Sequence, residues 1–158
     1  MNTHDNQFLK IIGLGSPFGD DQIGRIITEQ LKNDLPNFKI LYFDRPGARL
    51  LEYFNNTQFI ILIDAVVSNR EVGTIHYLRN NEIDEFQTTL SSHGFGLSQT
   101  IALGRSLNQL PKEIYFFGIE ADPNNKSTIL SNALNAKVEM LTTLIKNKIH
   151  ELINARES

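Results

Sequence analysis

The side chains in this sequence best placed to do chemistry are four aspartates and a histidine. Asp20 and Asp21 follow the run FLKIIGLG by way of a glycine turn, Asp44 follows FKILYF, Asp64 ends FIILID, and His93 lies in SSHGFG. Asp21, Asp64 and His93 offer two oxygen donors and one nitrogen donor from three separate connections. That set suits a first-row divalent metal, and three protein ligands leave coordination positions for water or substrate. The chain has no cysteine, so cysteine nucleophiles, zinc–thiolate sites and disulfides are excluded.

Each of these residues also has a plainer use. Gly13, Gly15 and Gly19 read G-x-G-x-x-x-G, one residue longer than the dinucleotide fingerprint. A pyrophosphate would need the free N–H groups of the next helix, for which Asp20 and Asp21 compete while repelling the anion. No G-K-[ST] follows, so nucleotide binding is not expected. Asp20 is expected to cap the helix, with Asp21 complementing its dipole. Capping needs one acid, which leaves the other for different work. Asp44, in the turn DRPG, and Asp64 both suit Asx-turns. Asp64 is followed by Ala65 and Val66, not by the second acid of an aspartyl phosphotransferase. Ser92 and His93 are adjacent, but no G-x-S-x-G elbow accompanies them. His4, His76 and His150 fall in a polar tail, an edge strand and the last helix, and are weaker candidates.

These residues need a frame that brings them together, and the pattern supplies one. FLKIIGLG reads as a buried strand, FKILYF (38–43) as a second, FIILID (59–64) as a third and fully apolar one, and EIYFFGIE (113–120) as the last. TIHYL (74–78) alternates and suits a sheet edge. Ile23, Ile26, Ile27 and Leu31 mark one helix face, and RPGARLLEYF suits a turn and a short helix. Leu97, Ile101, Leu103 and Leu107 mark another helix. A last one carries Leu134, Val138, Leu141, Ile145, Ile149 and Leu152 on one side. The alternation predicts an α/β three-layer sandwich, a mostly parallel twisted sheet of about five strands with helices on both faces. Ligands of such sheets bind beyond the carboxyl ends of the strands, where the strand order reverses. Asp20, Asp21, Asp44 and Asp64 all fall at that rim.

At 158 residues the chain reads as one domain over 1–158, with 1–7 and 153–158 as flexible tails. The formal net charge is −3, and no basic cluster marks a nucleic-acid surface. MNTHDNQF lacks the basic-then-apolar plan of a signal peptide. No apolar stretch approaches the ~20 residues that span a bilayer. A cytoplasmic protein without nucleic-acid or membrane partners is expected.

Taken in order, GLGSPFGDDQIG, LIDAVVSN, GTIHYL, SSHGFGLSQTIAL and FFGIE resemble the motifs of the hydrogenase maturation proteases, over roughly residues 8 to 150. The resemblance implies that Asp21 and Asp64 are catalytic, that both contact metal together with His93, and that Asp44 borders the substrate-docking cleft. It also implies an endopeptidase that removes the C-terminal extension of a nickel–iron hydrogenase large-subunit precursor after nickel insertion. The nickel is carried by the substrate, and no organic cofactor is implied. Ser16 departs from the usual asparagine, Asp21 stands where glutamate is frequent, and the loop from Gly15 to Asp20 is about one residue short. GLGSP also resembles the start of the peptidyl-tRNA hydrolases, although their T-R-H-N stretch is missing. A non-catalytic protein that binds the hydrogenase precursor is the third reading.

Overall fold

The alternating runs form a five-stranded sheet in the computed structural model, which describes residues 9–86 and 96–157. The strands are β1 (Leu9–Gly15), β2 (Lys39–Asp44), β3 (Phe59–Val66), β4 (Ile75–Arg79) and β5 (Glu113–Glu120). Their order is β2-β1-β3-β5-β4. All neighbours are parallel except β4, which pairs antiparallel with β5 at the edge. The edge position expected for TIHYL is the one observed.

Because successive side chains alternate across a strand, each strand feeds two cores. Ile11, Ile61, Ile63 and Phe117 face α1 (Ile23–Asp34), where Ile23, Ile27 and Leu31 meet them. Ile12, Ile60, Leu62 and Phe116 face the opposite layer. That layer holds a 3₁₀ helix (Gly47–Phe54), α2 (Asn81–Glu85) and α3 (Leu97–Ser106). The expected three layers are present.

Two helices differ from the sequence expectation. The terminal helix is broken into α4 (Asn132–Asn135) and α5 (Val138–Glu157). The Ser131 hydroxyl accepts the Leu134 N–H and caps α4, yet the apolar face continues from Leu134 across the break to Ile149. α5 also runs through 153–157, which the sequence pattern assigns to a tail. There Arg156 lies 3.9 Å from the centre of the Phe59 ring and pairs with Glu113. In α3 the inward face is Leu97, Thr100, Ile101 and Gly104. Leu107 is exposed, because the helix stops at Ser106 and Asn108 turns the chain with a φ of 56°.

The topology selects one rim. From β1 the chain passes through α1 on one face to β2, and then through the 3₁₀ helix on the other face to β3. Strand order therefore reverses between β1 and β3, the crevice at which open α/β sheets bind ligands. α1 lies very close to that crevice. A Cβ on Gly24 would strike the carbonyl oxygen of Leu14 on β1 and come within 2.9 Å of the carbonyl oxygen of Ile63 on β3. A Cβ on Gly13 would come within 2.7 Å of the Gly24 carbonyl oxygen.

This contact gives a test whose sign is informative. In a free helix interior, glycine to alanine stabilises by ~1 kcal/mol. Here Gly24→Ala is expected to destabilise by about 2 kcal/mol or more, because only backbone is available to yield. The readout is a lower urea midpoint. A raised midpoint would show that α1 is not seated this closely.

Candidate active site

At the end of β1 the chain folds back over itself. The 3₁₀ turn Gly19–Gln22 carries Asp20 and Asp21. A side chain at Gly15 would collide with the Asp21 carbonyl oxygen, so only glycine lets the turn sit directly above the strand end. The Asp21 N–H donates to the Phe18 carbonyl at 3.1 Å. Asp64, near the end of β3, is partly buried, and its Oδ1 accepts the N–H of Ala65 at 2.8 Å. Burial raises the Asp64 pKa well above the ordinary carboxylate value, and the charge of Asp21 raises it further. The Ala65 N–H works against both. Asp21 and Asp64 thus both lie at the strand-order reversal, near enough for the charge of Asp21 to oppose the ionisation of Asp64.

Asp20 does not cap the helix as expected; neither helical start in this segment is capped by a side chain. It is buried, and it ties this turn to the connection after β5. Oδ1 accepts the Ser131 N–H at 2.7 Å and the Asn125 side-chain N–H at 3.1 Å. Oδ2 accepts the Asp122 N–H at 2.8 Å and the Ser131 hydroxyl at 2.7 Å. Four neutral donors hold this carboxylate, which is what a buried charge requires. The adjacent acids are therefore placed differently, Asp20 holding the turn to the connection after β5 and Asp21 lying near Asp64.

Asp44 ends β2 opposite Gly15 of β1. Its carboxylate holds Arg45, Oδ1 to Nε at 2.6 Å and Oδ2 to Nη2 at 3.3 Å. The Arg45 N–H donates to the Gly15 carbonyl at 3.0 Å, pinning this corner to β1. A cleft of about 270 Å³ opens here, lined by Asp44, Tyr42, Arg49, Glu52 and Tyr53 among others. Burial and then Asp44 push the Tyr42 phenol up to about 12, with Asp21 and Asp64 adding to the effect. Tyr42 is therefore a neutral hydrogen-bond donor among the acids. The sequence pattern marks it only as one strand residue among others.

His93 lies outside the described residues. Among those described, no group of three or more histidine, aspartate or glutamate side chains gathers to hold a metal ion. A second polar cluster sits on the same sheet face as Asp64, across the bare position of Gly118. There Glu120, fully buried, meets His76 Nε2 at 2.8 Å and accepts the Ser68 hydroxyl and N–H. The edge-strand position of His76, two strands from Asp64, gave no hint of its buried partner Glu120.

Comparison with known proteins decides the family. The family model described as hydrogenase maturation protease (HycI) matches residues 27–148, well over half of the chain. The chain belongs to the hydrogenase maturation protease family. A search of curated proteins finds no matching sequence. Among solved structures, the hydrogenase maturating endopeptidase HybD of Escherichia coli superposes with a TM-score of 0.77 at 24% identity, covering 91% of this chain and 93% of that one. The [NiFe] hydrogenase maturation protease HybD of Thermococcus kodakarensis gives a TM-score of 0.68 at 25% identity, covering 89% and 97%. Family membership sets the peptidyl-tRNA hydrolase reading aside. The family model begins at residue 27, beyond the acidic pair.

The raised pKa of Asp64 has a consequence for stability. Its folded-state pKa lies above the unfolded value, so the folded chain keeps a proton that the unfolded chain has released. That contribution is complete below the unfolded pKa and is lost as pH rises through the folded value. Asp64→Asn removes the charge, and its carbonyl oxygen can keep the Ala65 bond. The variant is expected to be more stable at pH 7 by ~1 kcal/mol or more, about 2–4 °C in Tm. The difference should close near pH 3. A lower Tm for the variant at pH 7 would contradict the placement of Asp64.

Proposed function

We propose that this chain is the endopeptidase that removes the C-terminal extension of a nickel–iron hydrogenase large-subunit precursor once nickel has been installed. The observation that carries the reading is the approach of Asp21 and Asp64 at the reversal between β1 and β3, in a chain of this family. A carboxylate whose ionisation is opposed by a neighbouring acid, as that of Asp64 is by Asp21, favours the approach of a cation. Oxygen donors and one imidazole suit nickel held by the precursor. Asp21, Asp64 and His93 are the proposed contacts to it, and Asp44 borders the cleft that receives the substrate segment.

Nickel, when present, supplies charge to polarise the scissile carbonyl. The chain's own residues supply the rest. A carboxylate oxygen that does not itself contact nickel takes a proton from water as the water oxygen bonds to the carbonyl carbon. The carbon–nitrogen bond then breaks and the same proton passes to the leaving amine. Asp64 is the candidate for this role, through the oxygen it does not give to nickel. Tyr42 stays protonated at neutral pH and can donate a hydrogen bond in the cleft. No helix among the described residues is long and apolar enough to cross a membrane.

The test is incubation with large-subunit precursors, nickel-loaded and nickel-free, followed by intact mass. Loss of a C-terminal peptide is expected from the loaded precursor alone. Asp21→Asn and Asp64→Asn are each expected to slow it at least ~100-fold while the fold is retained. His93→Ala should lessen the nickel dependence. Normal processing by either aspartate variant, or no processing of any loaded precursor, would overturn the reading.

A further inference from the structure

A half-buried tyrosine hydroxyl ordinarily finds a hydrogen-bond partner. That of Tyr42 has none among the described residues. Tyr42 pairs with Gly13 across β1 and β2, yet its side chain reaches along the sheet toward the strand end. Its hydroxyl comes within 3.4 Å of the point where a Cβ on Gly15 would stand. The Asp21 carbonyl oxygen approaches the same point from the turn. One bare position on β1 thus brings the phenol and the Asp21 turn together. Tyr42 also lines the cleft of about 270 Å³, with Asp44, Arg49 and Glu52.

Burial first, then the charge of Asp44, and then those of Asp21 and Asp64 keep the proton on this phenol. The hydroxyl is therefore within electrostatic reach of all three acids. The cations nearby are otherwise placed. Arg45 is held by both oxygens of Asp44, and Arg25 by Glu29 and Gln22. Arg49 stands exposed on the 3₁₀ helix. Peptide hydrolysis puts negative charge on the carbonyl oxygen as water adds to the carbonyl carbon. Among carboxylates that charge is disfavoured unless a donor faces it. A hydroxyl carried on a strand and already neutral is such a donor. A peptide carbonyl oxygen has two lone pairs, so this bond adds to any other group that polarises it.

We propose that the Tyr42 hydroxyl is a catalytic group of this endopeptidase, donating a hydrogen bond to the oxygen of the scissile carbonyl. The proposal rests on the endopeptidase reading above and adds the donor that meets the developing charge. As the water oxygen bonds to the carbonyl carbon, the π pair of the carbonyl moves onto its oxygen, which the Tyr42 O–H faces. The phenol keeps its proton throughout. When the carbon–nitrogen bond breaks, the pair returns and the carbonyl is restored.

Tyr42→Phe removes the hydroxyl and keeps the ring, so the wall of the cleft stays in place. Cleavage of nickel-loaded precursor is followed by intact mass over a range of precursor concentrations. The parent chain is compared with Tyr42→Phe, Arg49→Gln and Tyr77→Phe. Tyr77 is the control, a half-buried tyrosine of the edge strand packed on Tyr115 and Phe117. Tyr42→Phe is expected to lower kcat ~100-fold, with KM within ~twofold of the parent and an unchanged thermal midpoint. Tyr77→Phe should cleave at the parent rate. Three outcomes would overturn the role of Tyr42 while the endopeptidase reading stands: a parent-like kcat for Tyr42→Phe, a kcat loss shared by Tyr77→Phe or matched by a fallen midpoint, or a loss seen in Arg49→Gln alone. No cleavage by the parent chain would overturn both.

Discussion

The carboxylate rim depends on how closely the first helix lies against the two central strands. α1 meets β1 and β3 backbone to backbone, and Gly13 and Gly24 are the residues that allow it. With side chains there, the helix would stand off and its leading turn would swing away from the strand ends. Gly15 extends the same constraint by one step, since Asp21 folds back onto it. Three glycines that resemble a phosphate loop thus serve steric closeness. The anion such a loop would bind is replaced by the protein's own carboxylates.

Closeness brings like charges together, and the resulting strain is electrostatic. Asp64 lies where burial and Asp21 both disfavour its charge. A residue chosen for stability alone would be neutral there. Active sites commonly hold such locally unfavourable groups, supported by surrounding structure that is well satisfied. The support here is visible in Asp20, whose carboxylate has four donors. Asp20 thus fixes the turn that brings Asp21 near Asp64, and the electrostatic cost falls on Asp64.

The sheet was largely legible in the sequence because burial writes itself into local pattern. Continuous apolar runs marked the central strands, and alternation marked the edge strand β4. Placing Asp21, Asp44 and Asp64 on one rim followed from strand direction alone. Asp20 was misread because N-cap signals are local, whereas its partners lie after β5. Tyr42 was passed over because a strand tyrosine has no distinguishing neighbours until β1 and β3 are placed beside it. Glu120 was likewise hidden, its partners Ser68 and His76 coming from two other segments. The break before α5 left no trace in the apolar pattern, since Leu134 and Val138 keep the helical spacing across it. Local order was readable; pairings between distant segments were not.

The reach of Asp20 also orders events during synthesis. Its carboxylate bonds to groups 102 to 111 residues later in the chain. While a ribosome is extending the polypeptide, the turn bearing Asp21 is made early and lacks its anchor until residues near 131 have emerged. Contacts of such long sequence separation are slow to form. The Asp20 anchor can therefore close only after that segment has been made, and a nascent, half-made chain carries the turn without it.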